Sequence, residues 1–251
     1  MTARTIGVIS GIASLLVSAA WPAPAPVAAD PAIHAYSAVY ELHYKDNRVG
    51  TSEFSVRYDS TRGVYRYSSS SALRGIRRII APGTVVERSE FVSEAGRITP
   101  LEFWFEDGSR RGEDNFHIRF DWDNGIAITE TAEGRKEIPL AHGTLDRGTM
   151  QVQLMLDMAR HGALGSYTVL DEDGPRTYDY RADADALLET PFGSLSTQAF
   201  IQEREGSSRR ELLWSAPELH YLPVRLEQER NGETRTMMLL ESVEWLDPPG
   251  N

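Results

Sequence analysis

The sequence predicts a mainly β protein: a single antiparallel curved sheet, or half-barrel, of about 10–12 strands with one covering helix at about 147–160. Three observations predict it. Apolar and polar residues alternate with period two along most of the chain. Asn-Gly and Asp-Gly pairs separate the alternating runs. A single segment carries helical spacing instead.

The first run is Tyr36 to Tyr44, with Tyr36, Ala38, Tyr40, Leu42 and Tyr44 on one face and mostly polar residues on the other. Asp46 to Gly50 follows as a hairpin turn. The chain then returns through Thr51 to Tyr58, with Phe54, Val56 and Tyr58 on one face. Asn115 to Trp122 is the clearest strand. Phe116, Ile118, Phe120 and Trp122 share a face opposite Asn115, His117, Arg119 and Asp121. Asn124-Gly125 turns it into Ile126 to Glu130, and Asn231-Gly232 joins Leu222–Arg230 to Thr234–Trp245. Asn-Gly favours positive φ at both central positions of a type I′ turn. Asp107-Gly108 and Asp173-Gly174 mark two further reversals. Successive hairpins imply an antiparallel meander.

Arg147 to Arg160 breaks the alternation. Asp146 is a suitable N-cap. Met150, Leu154, Met155 and Met158 share one helical face, Arg160 and His161 suit the negative end of the dipole, and Gly162 can end the helix in the left-handed conformation. This helix needs the sheet to cover its apolar stripe. Ser71 to Pro82 reads either as a short helix or as a loop dipping into the core through Leu73, Ile76, Ile79 and Ile80.

The N-terminus reads as an export signal: Arg4, then the uncharged apolar run Ile6–Ala20, then Val27-Ala28-Ala29 as a small-residue cleavage pattern before Asp30. An earlier cut after Ala20 and an uncleaved anchor are the alternatives. The expected organisation is a signal peptide at 1–29, a flexible N-terminus at 30–35, one β-rich domain at 36–247 and a tail at 248–251. The expected location is periplasmic or secreted, with no stable membrane span after processing.

The chain has 251 residues, no cysteine and a formal net charge of −11. That excludes disulfides, thiolate metal sites and a cysteine nucleophile, and argues against nucleic acid as a partner. The six histidines are scattered, with neither H-x-x-x-H nor H-E-x-x-H spacing. Asp121 with Asp123, and Asp171-Glu172-Asp173, sit at turns that favour Asp and do not fit an EF-hand loop. No phosphate-binding glycine pattern and no G-x-S-x-G elbow occurs. The expectation is a non-enzymatic protein without metal or cofactor.

Several short motifs fall in one order. They are Tyr40 to Gly50; Ile98-Thr99-Pro100-Leu101 with Phe103; Phe120-Asp121-Trp122; Leu145-Asp146-Arg147-Gly148 with Met150; and Glu189-Thr190-Pro191-Phe192-Gly193. The last is Trp214-Ser215-Ala216-Pro217 with Tyr221-Leu222-Pro223-Val224-Arg225 and Asn231-Gly232. This series resembles the bacterial exported family catalogued as domain of unknown function 3108. The resemblance implies an antiparallel half-barrel similar to the lipoprotein localisation factors, which hold acyl chains between a curved sheet and covering helices. It implies no reaction and no cofactor.

Two functions follow as expectations. The first is binding of an apolar ligand, such as a lipid or acyl chain, in a cavity closed by Met150, Leu154 and Met158 against Tyr40 and Phe54, with Trp214 at an aromatic rim. The second is a cell-envelope structural or interaction protein whose interior is filled by its own side chains and whose partner is another envelope protein. An uncharacterised hydrolase is a third. An apolar cavity of several hundred Å³ separates the first from the second.

Overall fold

A computed structural model describes residues 32–45, 47–74, 83–203 and 208–246. The signal-peptide expectation at 1–29, the tail at 248–251 and the helix-or-loop reading beyond Arg74 lie outside the described residues. The strands are β1 (Tyr36–Tyr44), β2 (Asn47–Asp59), β3 (Val64–Leu73), β4 (Thr84–Glu94), β5 (Arg97–Glu106), β6 (Phe116–Asp121), β7 (Ile126–Thr131) and β8 (Gly134–Pro139). The helix α1 (Arg147–His161) follows. Then come β9 (Ser166–Asp171), β10 (Gly174–Thr190), β11 (Gly193–Glu203), β12 (Arg209–Ala216), a 3₁₀ turn (Pro217–Leu219), β13 (Leu222–Arg230) and β14 (Glu233–Trp245).

All 14 strands form one antiparallel sheet. Two meanders grow outward from the β1–β14 pair, ending at β8 on one side and β9 on the other. Among the described residues the protein is mainly β with one α-helix, as predicted, but the sheet has 14 strands rather than 10–12. The count rises in part because β8 has only Ile138 and Pro139 as apolar residues and shows no alternation. β8 and β9 are not hydrogen-bonded to each other. Instead, Leu145 runs parallel to β9, its N–H donating to Thr168 O at 2.9 Å and its carbonyl accepting from Leu170 N at 2.8 Å. Leu170 of β9 also packs with Phe103, Phe116 and Ile118 of β5 and β6. The two ends of the sheet thus approach, and its concave face wraps α1.

The alternation gives the predicted faces. Tyr36, Ala38, Tyr40 and Val56 are buried, as are Phe116, Ile118 and Phe120. Tyr44 is instead 48 % exposed at the end of β1. Asn231 (φ 55°) and Gly232 (φ 76°) both take the left-handed conformation expected of their turn. Two turn expectations fail. Asn47 to Gly50 belong to β2 rather than to a turn, because the reversal is tighter and Lys45 takes φ 51°. At Asn124-Gly125 only Gly125 is left-handed. The Asp121 carboxylate accepts from the Asn124 N–H (3.0 Å) and side-chain amide (2.8 Å), closing a longer loop in which Asn124 has no need of positive φ.

α1 is held as its sequence predicts, one residue longer. The Asp146 carboxylate accepts from Thr149 N at 2.8 Å, and Asp146 N donates back to Thr149 Oγ1 at 2.9 Å. Gly162 (φ 63°) closes the other end, donating to Met158 O. Burial extends beyond the predicted face of Met150, Leu154, Met155 and Met158 to Val152, Gln153 and Leu156. The helix therefore fills the concave side as well as covering it.

Candidate functional site

Two clefts break this packing, at opposite ends of the strands. One, of about 560 Å³, lies by Leu42, Ser71–Leu73, Gly83, Val85 and the loop Asp107–Arg110. The other, of about 190 Å³, brings together α1, the start of β1 and the turn between β12 and β13. This second cleft is the candidate site.

Its floor is helical. Val152, Met155, Leu156 and Ala159 line it at the i, i+3, i+4, i+7 spacing of one helix face. Tyr36 and Val56 add apolar wall from the sheet. Its rim is Pro217, His220 and Tyr221 facing His34. The 3₁₀ turn forms because Pro217 presets its first φ; His220 N then donates to Pro217 O at 3.2 Å and Tyr221 N to Ala216 O at 2.9 Å. Both His220 (φ 51°) and Tyr221 (φ 61°) are left-handed. Two successive non-glycine residues in that region cost on the order of 1 kcal/mol or more each, so the turn is held by its surroundings. Part of that support is Tyr40, whose hydroxyl donates to Pro223 O at 2.6 Å.

The rim is aromatic. The His34 and His220 rings stack, centroids 3.7 Å apart and planes 20° apart. Trp245 stands edge-on to both, at 6.0 Å from His34 and 4.9 Å from His220. Partial burial, and then the charge of His220, push the His34 pKa down from its ordinary value. Among the described residues no cluster of three or more His, Cys, Asp or Glu side chains could hold a metal ion.

The residues singled out from sequence are placed as follows. Tyr40 and Phe54 meet edge to face at 5.1 Å, and with Tyr67, Met155 and Leu226 they surround a gap of about 20 Å³. That is room for about one water. Met150, Leu154 and Met158 are buried in the core around them and line neither cleft. Trp214 is half-buried, with the Arg225 guanidinium 5.0 Å from its ring centroid, and it too lies off the cleft.

Sequence reasoning missed the adjacent helix face and the His34–His220 pair. Val152 and Leu156 were visible signals, but a helix with apolar residues on more than one face does not declare which of them borders a gap. His34 and His220 lie too far apart in the chain for spacing to link them.

A buried polar cluster at the other end of α1 was missed as well. Ser89 Oγ donates to Asp146 Oδ1 at 2.6 Å, and burial pushes the Asp146 carboxyl up to about 6. Arg147 lies over the rings of Phe105 (4.6 Å), Phe116 (5.3 Å) and Phe103 (5.5 Å). It reaches Glu87 at 3.4 Å and Asp171 at 3.7 Å. A cation in the first helical turn opposes the macrodipole; these carboxylates and rings offset it. Gly148 permits the close approach, since a Cβ there would lie 2.3 Å from Ser89 Oγ and 2.5 Å from Tyr67 Cδ1. The Leu-Asp-Arg-Gly motif is thus the seat of the helix.

Comparisons with known proteins agree with this architecture. A β-barrel-like protein from Brucella abortus, of domain of unknown function DUF1849, aligns over 86 % of this chain and 99 % of its own, with TM-score 0.52 and 10 % identity. That likeness shows the fold. Two others carry no argument. One is a candidate exported protein with a YmcC-like fold from Bacteroides fragilis NCTC 9343 (TM-score 0.37, 12 % identity, 83 % of this chain and 95 % of that one). The other is a candidate lipoprotein from Parabacteroides distasonis ATCC 8503 (TM-score 0.38, 11 % identity, 84 % and 95 %). No curated protein matches the sequence. The family model described as "Protein of unknown function (DUF3108)" matches residues 39–240, most of the chain, from β1 to β14 and including both the helix seat and the strained turn, and the chain belongs to that family.

Proposed function

We propose that this protein is exported to the periplasm or beyond and acts there as a non-catalytic carrier of a small apolar molecule, bound in the cleft beside α1. The export signal in the sequence supports the location. Among the described residues no helix is long and apolar enough to cross a membrane. The observation that carries the ligand reading is the cleft itself: an unfilled space bordered by the buried side chains of Val152, Met155 and Leu156 and by the exposed Ala159 on one face of α1. Its volume of about 190 Å³ sets the ligand's size. An apolar cavity of about 150 Å³ takes a benzene-sized molecule. The cleft fits one ring or a short alkyl chain; a longer acyl chain would have to run out past the rim.

Titration calorimetry with octan-1-ol tests this reading. Native protein is expected to bind it. Ala159→Trp, which places a large side chain in the cleft, is expected to weaken binding at least about tenfold, a loss of roughly 1.4 kcal/mol. Leu187→Ala, at a site 71 % exposed on the β10–β11 hairpin, is expected to leave binding unchanged. Absence of octanol binding to native protein would refute it.

A second reading, an envelope interaction protein with a filled interior, is favoured by one observation. Where Tyr40, Phe54 and Met155 meet, only about 20 Å³ is left. On that reading the cleft is a packing defect and small apolar molecules do not bind.

A further inference from the structure

The cleft is apolar in its depth and carries two titratable rings at its mouth. We infer that its ligand is an amphiphile with an anionic head, a carboxylate on a short alkyl or aryl tail, whose head lies across the edges of His34 and His220 while the tail lies on α1. This rests on the apolar-ligand reading above and names the class of ligand that site takes.

Stacked at 3.7 Å, two neutral imidazoles are in contact, but two imidazolium ions would repel. His34 therefore resists protonation while His220 is charged. An anion placed across both edges removes that resistance and accepts charge-assisted hydrogen bonds from both rings. Protonation and anion binding are then linked, and by reciprocity each strengthens the other.

The other charges at the mouth favour the same outcome. Glu218 in the 3₁₀ turn and Glu244 next to Trp245 are exposed carboxylates. Arg160 and His161 end α1, with Arg160 donating to Ala95 O at 3.1 Å. Tyr36, the hydroxyl on the sheet wall, is held neutral by burial. The negative end of the helix dipole and a net charge of −11 oppose an anion when the histidines are neutral. Only the protonated pair overcomes this. Trp245, edge-on to both rings, and the left-handed turn carrying His220 fix the pair in place. Binding of the carboxylate should therefore strengthen below the ordinary histidine range, about pH 6.5, while binding of a neutral tail should not.

The experiment compares octanoate with octan-1-ol by calorimetry at pH 8.0 and 5.5, where octanoate stays largely ionised. Histidine ring-proton shifts are followed by NMR in parallel. The expected result is an octanoate affinity about tenfold or more higher at pH 5.5, the size of one charge-assisted contact. Octanol affinity should not change with pH. The apparent pKa of both His34 and His220 should rise when octanoate is added. In His34→Phe and His220→Phe, each checked for native thermal unfolding, the pH dependence of octanoate binding should be lost. If octanol binds but octanoate shows no pH dependence, or if the dependence survives in both variants, the anionic-head inference is overturned and the apolar-ligand reading stands. If neither compound binds at either pH, the apolar-ligand reading falls first and takes the inference with it.

Discussion

The two ends of α1 are packed in opposite ways. At the N-terminal end every feature is tight. Asp146 is fully buried, capped reciprocally by Thr149 and held by Ser89, and Gly148 lets the backbone approach so closely that a Cβ there would lie 2.3 Å from Ser89 Oγ and 2.5 Å from Tyr67 Cδ1. Along the C-terminal half, Val152, Met155, Leu156 and Ala159 face an open cleft of about 190 Å³. One helix thus carries an anchor at one end and an unfilled face at the other. A helix held only by an apolar stripe could settle and close such a gap. Seated through a buried cap and a glycine contact, it cannot, and the gap persists.

Mutations at the two ends should separate these roles. The largest effect is expected for Gly148→Val. Its side chain would overlap Ser89 and Tyr67, with an expected destabilisation of about 3 kcal/mol, measured as the denaturant midpoint at constant slope. A loss below about 0.5 kcal/mol, the level of a surface change, would contradict the anchor.

Asp146→Ala comes next, at about 2 kcal/mol, because it removes the cap and strands the Ser89 hydroxyl. Asp146→Asn sharpens the comparison through pH. The folded-state pKa of Asp146 lies above its ordinary 3.8, at about 6. Between those values the folded chain holds a proton that the unfolded chain has released. The group's contribution to stability is therefore greatest at low pH and is lost as pH rises through about 6. Asn keeps an acceptor and does not titrate. Chemical unfolding from pH 4 to 7 should show Asp146→Asn gaining stability relative to the native chain as pH rises. A constant difference would show that Asp146 is not neutralised by burial. Any His34 contribution runs the other way, since its depressed pKa makes stability fall as pH drops below the ordinary histidine value. It cancels in the difference between the two proteins.

The smallest effect belongs to the open face. Ala159→Leu should change stability by no more than about 0.5 kcal/mol, because it adds volume where space exists. A loss comparable with that at Gly148 would show that the cleft closes in solution and that the two ends do not differ.

What the sequence made legible follows the same division. Alternation at Tyr36–Tyr40 and Phe116–Phe120 was readable because each strand buries one face only. The cap at Asp146 and the stop at Gly162 were readable because helix ends need particular residue types within a few positions. The Leu-Asp-Arg-Gly motif was recognisable as a string, but its meaning was not. Ser89, Tyr67 and the three phenylalanines under Arg147 come from β3 to β6, far along the chain. The open face was illegible for a related reason. Met150, Leu154 and Met158 gave the cleaner stripe, and a clean stripe marks what is packed. The face that stays open, starting at Val152, is set by how far the 3₁₀ turn and the start of β1 stand off the helix. The His34–His220 contact depends on the same long-range closure of the sheet.

Binding of an apolar ligand in the cleft beside α1 can be followed residue by residue by methyl NMR during titration with octan-1-ol. Saturable shifts are expected at the methyls of Val56, Val152, Met155, Leu156 and Ala159, with Met150 and Leu42 unmoved. Shifts confined to Leu42 and Val85 at the opposite cleft, or no saturable shift anywhere, would contradict it.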